Sequence, residues 1–155
     1  MHFSFFSHSL EDTLFLGHQL GLLLSTPILI TLDGDLGAGK THFVQGLALG
    51  LGIHEKPTSP TFAIMEEYEG RLPLLHVDMY RLEEEELEPL GLEEQLEEWI
   101  GVIAVEWSVR FPHVLPENAL NIVIDQDQET RSFHFSGERH GALLSQLTAK
   151  CASLQ

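Results

Sequence analysis

DGDLGAGKTHF (Asp33–Phe43) follows directly on the apolar run PILITL (Pro27–Leu32) and opens a stretch that reads as a helix from about Lys40 to Leu51, stopping at Gly52. Within it Gly34–Thr41 spells G-D-L-G-A-G-K-T, a full match to the phosphate-loop pattern G-x-x-x-x-G-K-[ST], in the strand-to-helix setting that the pattern requires. Glycines let the chain turn tightly enough for successive N–H groups, here those from Asp35, Leu36, Gly37, Ala38 and Gly39 into Lys40, to point inward at phosphate oxygens. The helix that follows adds its positive N-terminal end. Lys40 brings a point charge to the β and γ phosphates, and the Thr41 hydroxyl can ligate Mg²⁺. A merely flexible turn needs the glycines but neither Lys40 nor Thr41, so the stretch reads as a cradle for a nucleotide.

Outward from this loop, strand and helix patterns alternate. HFSFFS (His2–Ser7) reads as a short edge strand, and Ser9 caps a helix, with Asp12 three residues on, that runs through Leu14, Leu20 and Leu24. TFAIMEEYEGRLPLLHVDMY carries two apolar runs around Glu69-Gly70, a hairpin signal. IGVIAVEW is a second buried strand, ALNIVID and RSFHFS form a later pair, and HGALLSQLTAKCASL is a terminal amphipathic helix. The alternation predicts an α/β layered fold: a central, mostly parallel but mixed sheet flanked by helices. At 155 residues the whole of 1–155 is expected to be one domain.

Charge and composition narrow the function. A net charge of −16 with only eight Lys plus Arg repels a nucleic-acid backbone and disfavours independent nucleic-acid binding. Much of the excess lies in EEEELEPLGLEEQLEEW (Glu83–Trp99), where Leu87, Leu90, Leu92 and Leu96 predict short helices on the core with glutamates in water. The same acidic face could dock a basic partner. No stretch approaches the length needed to cross a bilayer, and the first residues lack the basic flank and cleavage site of a signal peptide. The single cysteine, Cys151, cannot form an internal disulfide, which fits a cytoplasmic protein. The histidines outside HVDMY and the phosphate loop are scattered without the paired spacing of a zinc site.

A phosphate loop needs an acidic partner at the end of a neighbouring strand, to hold the metal or to position water. Asp78, after PLLHV, and Glu106, after GVIAV, both stand in such places. Pattern alone does not divide the two roles between them.

These residues carry a family resemblance. GDLGAGKTHFVQGLALGLG, followed by SPTF (Ser59–Phe62), HVDMYRL (His76–Leu82) and EW (Glu106-Trp107), resembles in order and spacing the TsaE family, small P-loop ATPases of bacterial tRNA threonylcarbamoyladenosine synthesis. The likeness runs from the Ser9 helix through Trp107. It implies a Mg²⁺-dependent ATPase that is weak alone and acts with the partner proteins TsaD and TsaB. It also implies residue roles: Thr61 in a switch loop near the γ-phosphate, Asp78 as the acid that orients or activates water, Glu106 holding Mg²⁺ beside Thr41, and Trp107 close to the nucleotide. His42, Thr58 and Ser108 depart from the family's usual residues; at Ser108 proline or alanine is more typical.

Two other classes stand beside this one. A small-molecule kinase or GTPase could use the same loop, but kinase lids bring several arginines onto the phosphates where this chain has five in all, and no Asn-Lys-x-Asp segment reads guanine. A nucleotide-binding scaffold without turnover would leave Asp78 and Glu106 structural.

Overall fold

Seven strands form one mixed sheet in the order β1-β7-β6-β2-β5-β4-β3 in a computed structural model that describes residues 2–35, 37–58 and 65–155. Along the chain these are β1 (His2–Ser7), β2 (Ile28–Gly34), β3 (Met65–Tyr68), β4 (Leu74–Asp78), β5 (Val102–Glu106), β6 (Leu120–Asp127) and β7 (Thr130–Ser136). The helices are α1 (Leu10–Leu23), α2 (Lys40–Gly50), the short α3 (Leu87–Leu90) and α4 (Leu92–Glu98), and α5 (Gly141–Cys151). The middle of the sheet, β6-β2-β5-β4, is parallel; β1, β7 and β3 add antiparallel pairs at the flanks. The mixed α/β sheet expected from the sequence is therefore present.

Side chains on the central strands alternate between two apolar clusters. Ile30, Leu32, Leu74, Val102 and Ala104 pack with Leu16, Leu20, Phe43, Leu47 and Leu144 under α1, α2 and α5. Leu29, Leu75, Val77, Ile103 and Val105 pack with Leu87, Leu92 and Leu96 of α3 and α4 and with Phe111 and Val114 on the opposite face. Buried on both faces, the parallel strands are continuous apolar runs, which is why PILITL and GVIAV were readable. Phe43, fully buried in the first turns of α2, stacks on Phe133 at 5.7 Å between ring centroids and meets Phe135 edge-on at 6.3 Å. Burying such a ring stabilises by about 1.5–3 kcal/mol and fixes the start of α2 on the sheet.

Helix α1 is capped as its sequence predicts, the Ser9 hydroxyl accepting from the Asp12 amide at 3.1 Å. Its buried face differs, running through Thr13, Leu16, Gly17, Leu20 and Gly21 while Leu14 is only half-buried. The glycines explain it. A Cβ added at Gly17 would lie 2.3 Å from the Phe43 carbonyl oxygen, and one at Gly46 2.3 Å from the Leu14 carbonyl oxygen, so α1 and α2 cross backbone to backbone. The Arg71 guanidinium closes the far end of the pair, donating to the carbonyls of Leu24 at 2.7 Å, Gly21 at 2.8 Å and Gly50 at 3.1 Å. A cation there complements the negative ends of both helices. The acidic stretch behaves as its leucines predict: Leu87, Leu92 and Leu96 are buried and the glutamates from Glu83 to Glu98 are exposed.

Candidate functional site

The carboxyl ends of β2, β5 and β4 meet at one edge, with Glu106 opposite Leu32 in the first pairing and opposite Asp78 in the second. The loop Asp35–Gly39 leaves β2 there. Gly37 and Gly39 adopt φ of +80° and +108°, a region that favours glycine, and Gly39 caps α2. Lys40, the first residue of α2 and only 5% exposed, turns its ammonium back to donate to the carbonyls of Gly34 at 2.5 Å and Asp35 at 2.9 Å. Burial pushes the Lys40 pKa below its ordinary value, while the carboxylates of Glu106, Asp78, Asp33 and Asp35 work in the opposite direction. Thr41 follows in the first turn of α2, half-buried.

Asp78, Glu106 and His76 lie on the same sheet face as Lys40, because β4 and β5 alternate in register. Glu106 is 3% exposed and its Oε2 lies 2.5 Å from Nε2 of the fully buried His76. Asp78, half-buried, accepts from the Tyr80 amide at 2.9 Å. Burial raises the Asp78 pKa; the Tyr80 amide lowers it, the nearby Glu106 raises it further, and His76 and Lys40 oppose that. Trp107 takes φ +59°, a left-handed conformation costly for a bulky residue, by roughly 1–3 kcal/mol. That turn lays its ring 4.6 Å from the Lys40 ammonium and 4.8 Å from the Tyr80 ring. The loop, Lys40, Thr41, Asp78, Glu106 and Trp107 thus converge on one edge of the sheet. Thr61, with Ser59, Pro60 and Phe62, and the loop residue Leu36 lie outside the described residues.

This donor set suits a nucleotide with a hard divalent cation. A glycine-shaped turn at a helix N-terminus, a buried ammonium, a threonine hydroxyl and a buried carboxylate offer N–H groups and positive charge to phosphate and oxygen ligands to a metal.

A family model described as "Threonylcarbamoyl adenosine biosynthesis protein TsaE" matches residues 7–133. The chain belongs to the TsaE family. Relatives named "tRNA threonylcarbamoyladenosine biosynthesis protein TsaE" are 48% identical over 123 residues in Nostoc sp. (77% of this chain, 75% of that protein) and 46% identical over 123 residues in Bacillus subtilis (77% of each). The crystal structure of Bacillus subtilis YdiB superposes with a TM-score of 0.79 at 32% identity, covering 96% of this chain and 95% of that one. The TsaE match reaches past Trp107, where the motif blocks end, through β6 and into β7.

Two contacts were not legible in the motifs of this TsaE chain. His76 is the direct partner of Glu106. Asp33 ties the turn after β5 to the foot of the phosphate loop, accepting from the Ser108 hydroxyl at 2.5 Å and the Val109 amide at 3.3 Å. Ser108 thereby holds, by a side-chain bond, the turn that carries Trp107. A strand-end aspartate followed by a serine on a neighbouring strand end was the available signal, and it gains meaning only from the β2–β5 register.

Proposed function

We propose that this chain is a Mg²⁺-dependent ATPase serving tRNA threonylcarbamoyladenosine biosynthesis, that residues 1–155 work as one P-loop ATPase domain, and that it acts in the cytoplasm with TsaD and TsaB. The observation that carries the reading is the Lys40 ammonium held on Gly34 and Asp35 carbonyls at the head of α2, on the same face as Glu106 and Asp78. The backbone N–H groups of Asp35 through Lys40 bind and orient the phosphate chain of ATP, and ADP afterwards. Lys40 adds positive charge where negative charge gathers. Thr41 and Glu106 hold Mg²⁺; when bound, the ion neutralises charge developing on the phosphoryl oxygens. Asp78 orients a water and takes up its proton, a role helped by a carboxyl whose burial raises its proton affinity. Trp107 shields Lys40 from solvent, and Thr61 closes the γ-phosphate end.

With eight Lys plus Arg in all, the chain has few cations to place at the γ-phosphate, so docking to TsaD and TsaB is what raises turnover. The exposed glutamates from Glu83 to Glu98 favour a basic partner surface and make encounter salt-sensitive.

Steady-state phosphate release tests this: ATP against GTP, alone and with small-molecule acceptors, then with TsaB and TsaD across a salt series. Slow ATP turnover by the isolated chain, accelerated by the partners and less so at high salt, is expected. Phosphate transferred to an acceptor indicates a kinase, and tight binding with no turnover in any mixture a scaffold. Fast turnover unaltered by partners removes the docking-activated mechanism.

A further inference from the structure

Arg131 is the second residue of the return strand β7, beyond the last motif residue that marks the phosphate loop in the sequence. Because β7 runs antiparallel to β6, its first residues come back to the same edge at which β6 and β2 end. Phe133 and Phe135 on this strand point to α2 and meet Phe43, and Arg131, two residues before Phe133, shares their face. Its side chain lies over the head of α2: a Cβ placed on Gly39 would be 3.2 Å from the Arg131 Cδ, 3.5 Å from Nε and 3.9 Å from Cζ. One terminal nitrogen, Nη2, donates to the Gly37 carbonyl at 3.4 Å, a long bond. Nε is buried and has no partner among the described residues. In a chain with 24 acidic and eight basic side chains, none of the ion pairs among the described residues involves this guanidinium. A fork of five donors, one long carbonyl bond and no carboxylate, set against a turn shaped for phosphate, is matched to an anion that the turn itself would hold.

We infer that Arg131 is a phosphate ligand of this nucleotide site: from the β7 side of the loop its guanidinium donates N–H groups to non-bridging oxygens of a bound nucleoside triphosphate while its stem packs on Gly39. The inference rests on the nucleotide reading above and adds to it a second cation besides Lys40, supplied by this chain. Gly39 then has two duties. Its φ needs glycine, and its bare Cα gives the Arg131 stem a surface to lie on.

Calorimetric titration with ATP and Mg²⁺ tests it on the full chain, comparing the parent with Arg131→Gln, Arg131→Lys and Lys40→Ala at several salt concentrations, with thermal unfolding of each variant recorded without nucleotide. Arg131→Gln should unfold near the parent temperature, bind ATP about ten- to hundredfold more weakly, and show a shallower salt dependence. Arg131→Lys should recover part of the affinity, since it keeps a charge but not the fork. If Arg131→Gln binds ATP within about twofold of the parent while Lys40→Ala binds about tenfold or more weakly, the inference falls and the nucleotide site stands. Lost affinity with an unchanged salt slope and no recovery in Arg131→Lys marks Arg131 as a structural clamp on the loop and also overturns it. A parent chain that binds no ATP removes the nucleotide reading and this inference together.

Discussion

His76 and Glu106 are diagonal neighbours on β4 and β5, 2.5 Å apart between Nε2 and Oε2, and both are closed off from solvent. A buried carboxylate needs a donor, and His76 supplies it through Nε2; its other ring nitrogen, Nδ1, has no partner among the described residues. The pair sets the direction in which Glu106 can offer its remaining oxygen lone pairs.

Replacing His76 by leucine leaves Glu106 buried without that donor. We expect His76→Leu to cost about 1–3 kcal/mol of stability, and to raise the Mg²⁺ concentration needed for nucleotide binding more than it weakens binding without metal. Chemical denaturation and a Mg²⁺ titration of ATP affinity measure both. His76→Gln, which keeps a donor, should fall between the leucine variant and the parent.

Lys40→Ala removes a charged donor and leaves the Gly34 and Asp35 carbonyls without it. ATP affinity should fall about ten- to hundredfold, corresponding to roughly 1.5–3 kcal/mol for one charge-assisted contact. Calorimetry reads the change, and an unchanged affinity would sink the phosphate-cradle reading.

Asp78→Asn should keep ATP bound while phosphate release falls by orders of magnitude, because the lost function belongs to the transition state. The same substitution should stabilise the fold at neutral pH. The folded chain holds the Asp78 proton more tightly than the unfolded chain does, so this carboxyl favours folding at low pH and that contribution is lost as pH rises through its raised folded pKa. Melting curves of parent and variant should therefore converge on acidification and separate toward neutrality.

How much of this was legible in the sequence varies by residue. Gly34 to Thr41 could be read because the phosphate loop is a local object, eight residues whose chemistry and flanking elements are contiguous. Asp78 and Glu106 could be placed at strand ends, since apolar runs mark buried parallel strands. Their being side by side depends on β4 and β5 pairing in register across 28 residues of chain, a non-local fact. His76 reads only as one ring beside a strand until that register places it against Glu106. Arg131 was harder still, since a strand must first turn back to carry it to the loop. In α1 the leucine spacing was visible, but the burial of Gly17 and Gly21 required knowing that α2 would bring Gly46 and Gly50 to meet them.

Gly46→Ala tests that crossing. Its Cβ would stand 2.3 Å from the Leu14 carbonyl oxygen and 3.0 Å from the Leu14 carbonyl carbon, backbone atoms that cannot swing aside. Overpacking of this kind costs about 1–3 kcal/mol, outweighing the ~1 kcal/mol by which alanine favours a helix over glycine. The denaturation midpoint should drop although the substitution raises helix propensity.

A glycine seam has a mechanical consequence as well. Where two helices touch through side chains, a rotamer change can absorb a small slip; where α1 and α2 touch through Gly17, Gly21, Gly46 and Gly50, no side chain at the seam can yield. The two helices form a stiff strut, bolted at its far end by Arg71 and ending at its near end in Lys40. A push on the head of α2 meets no rotamer at this seam that could take it up. A shift of α2 is therefore one that α1 must share, the two helices moving as one piece against the sheet.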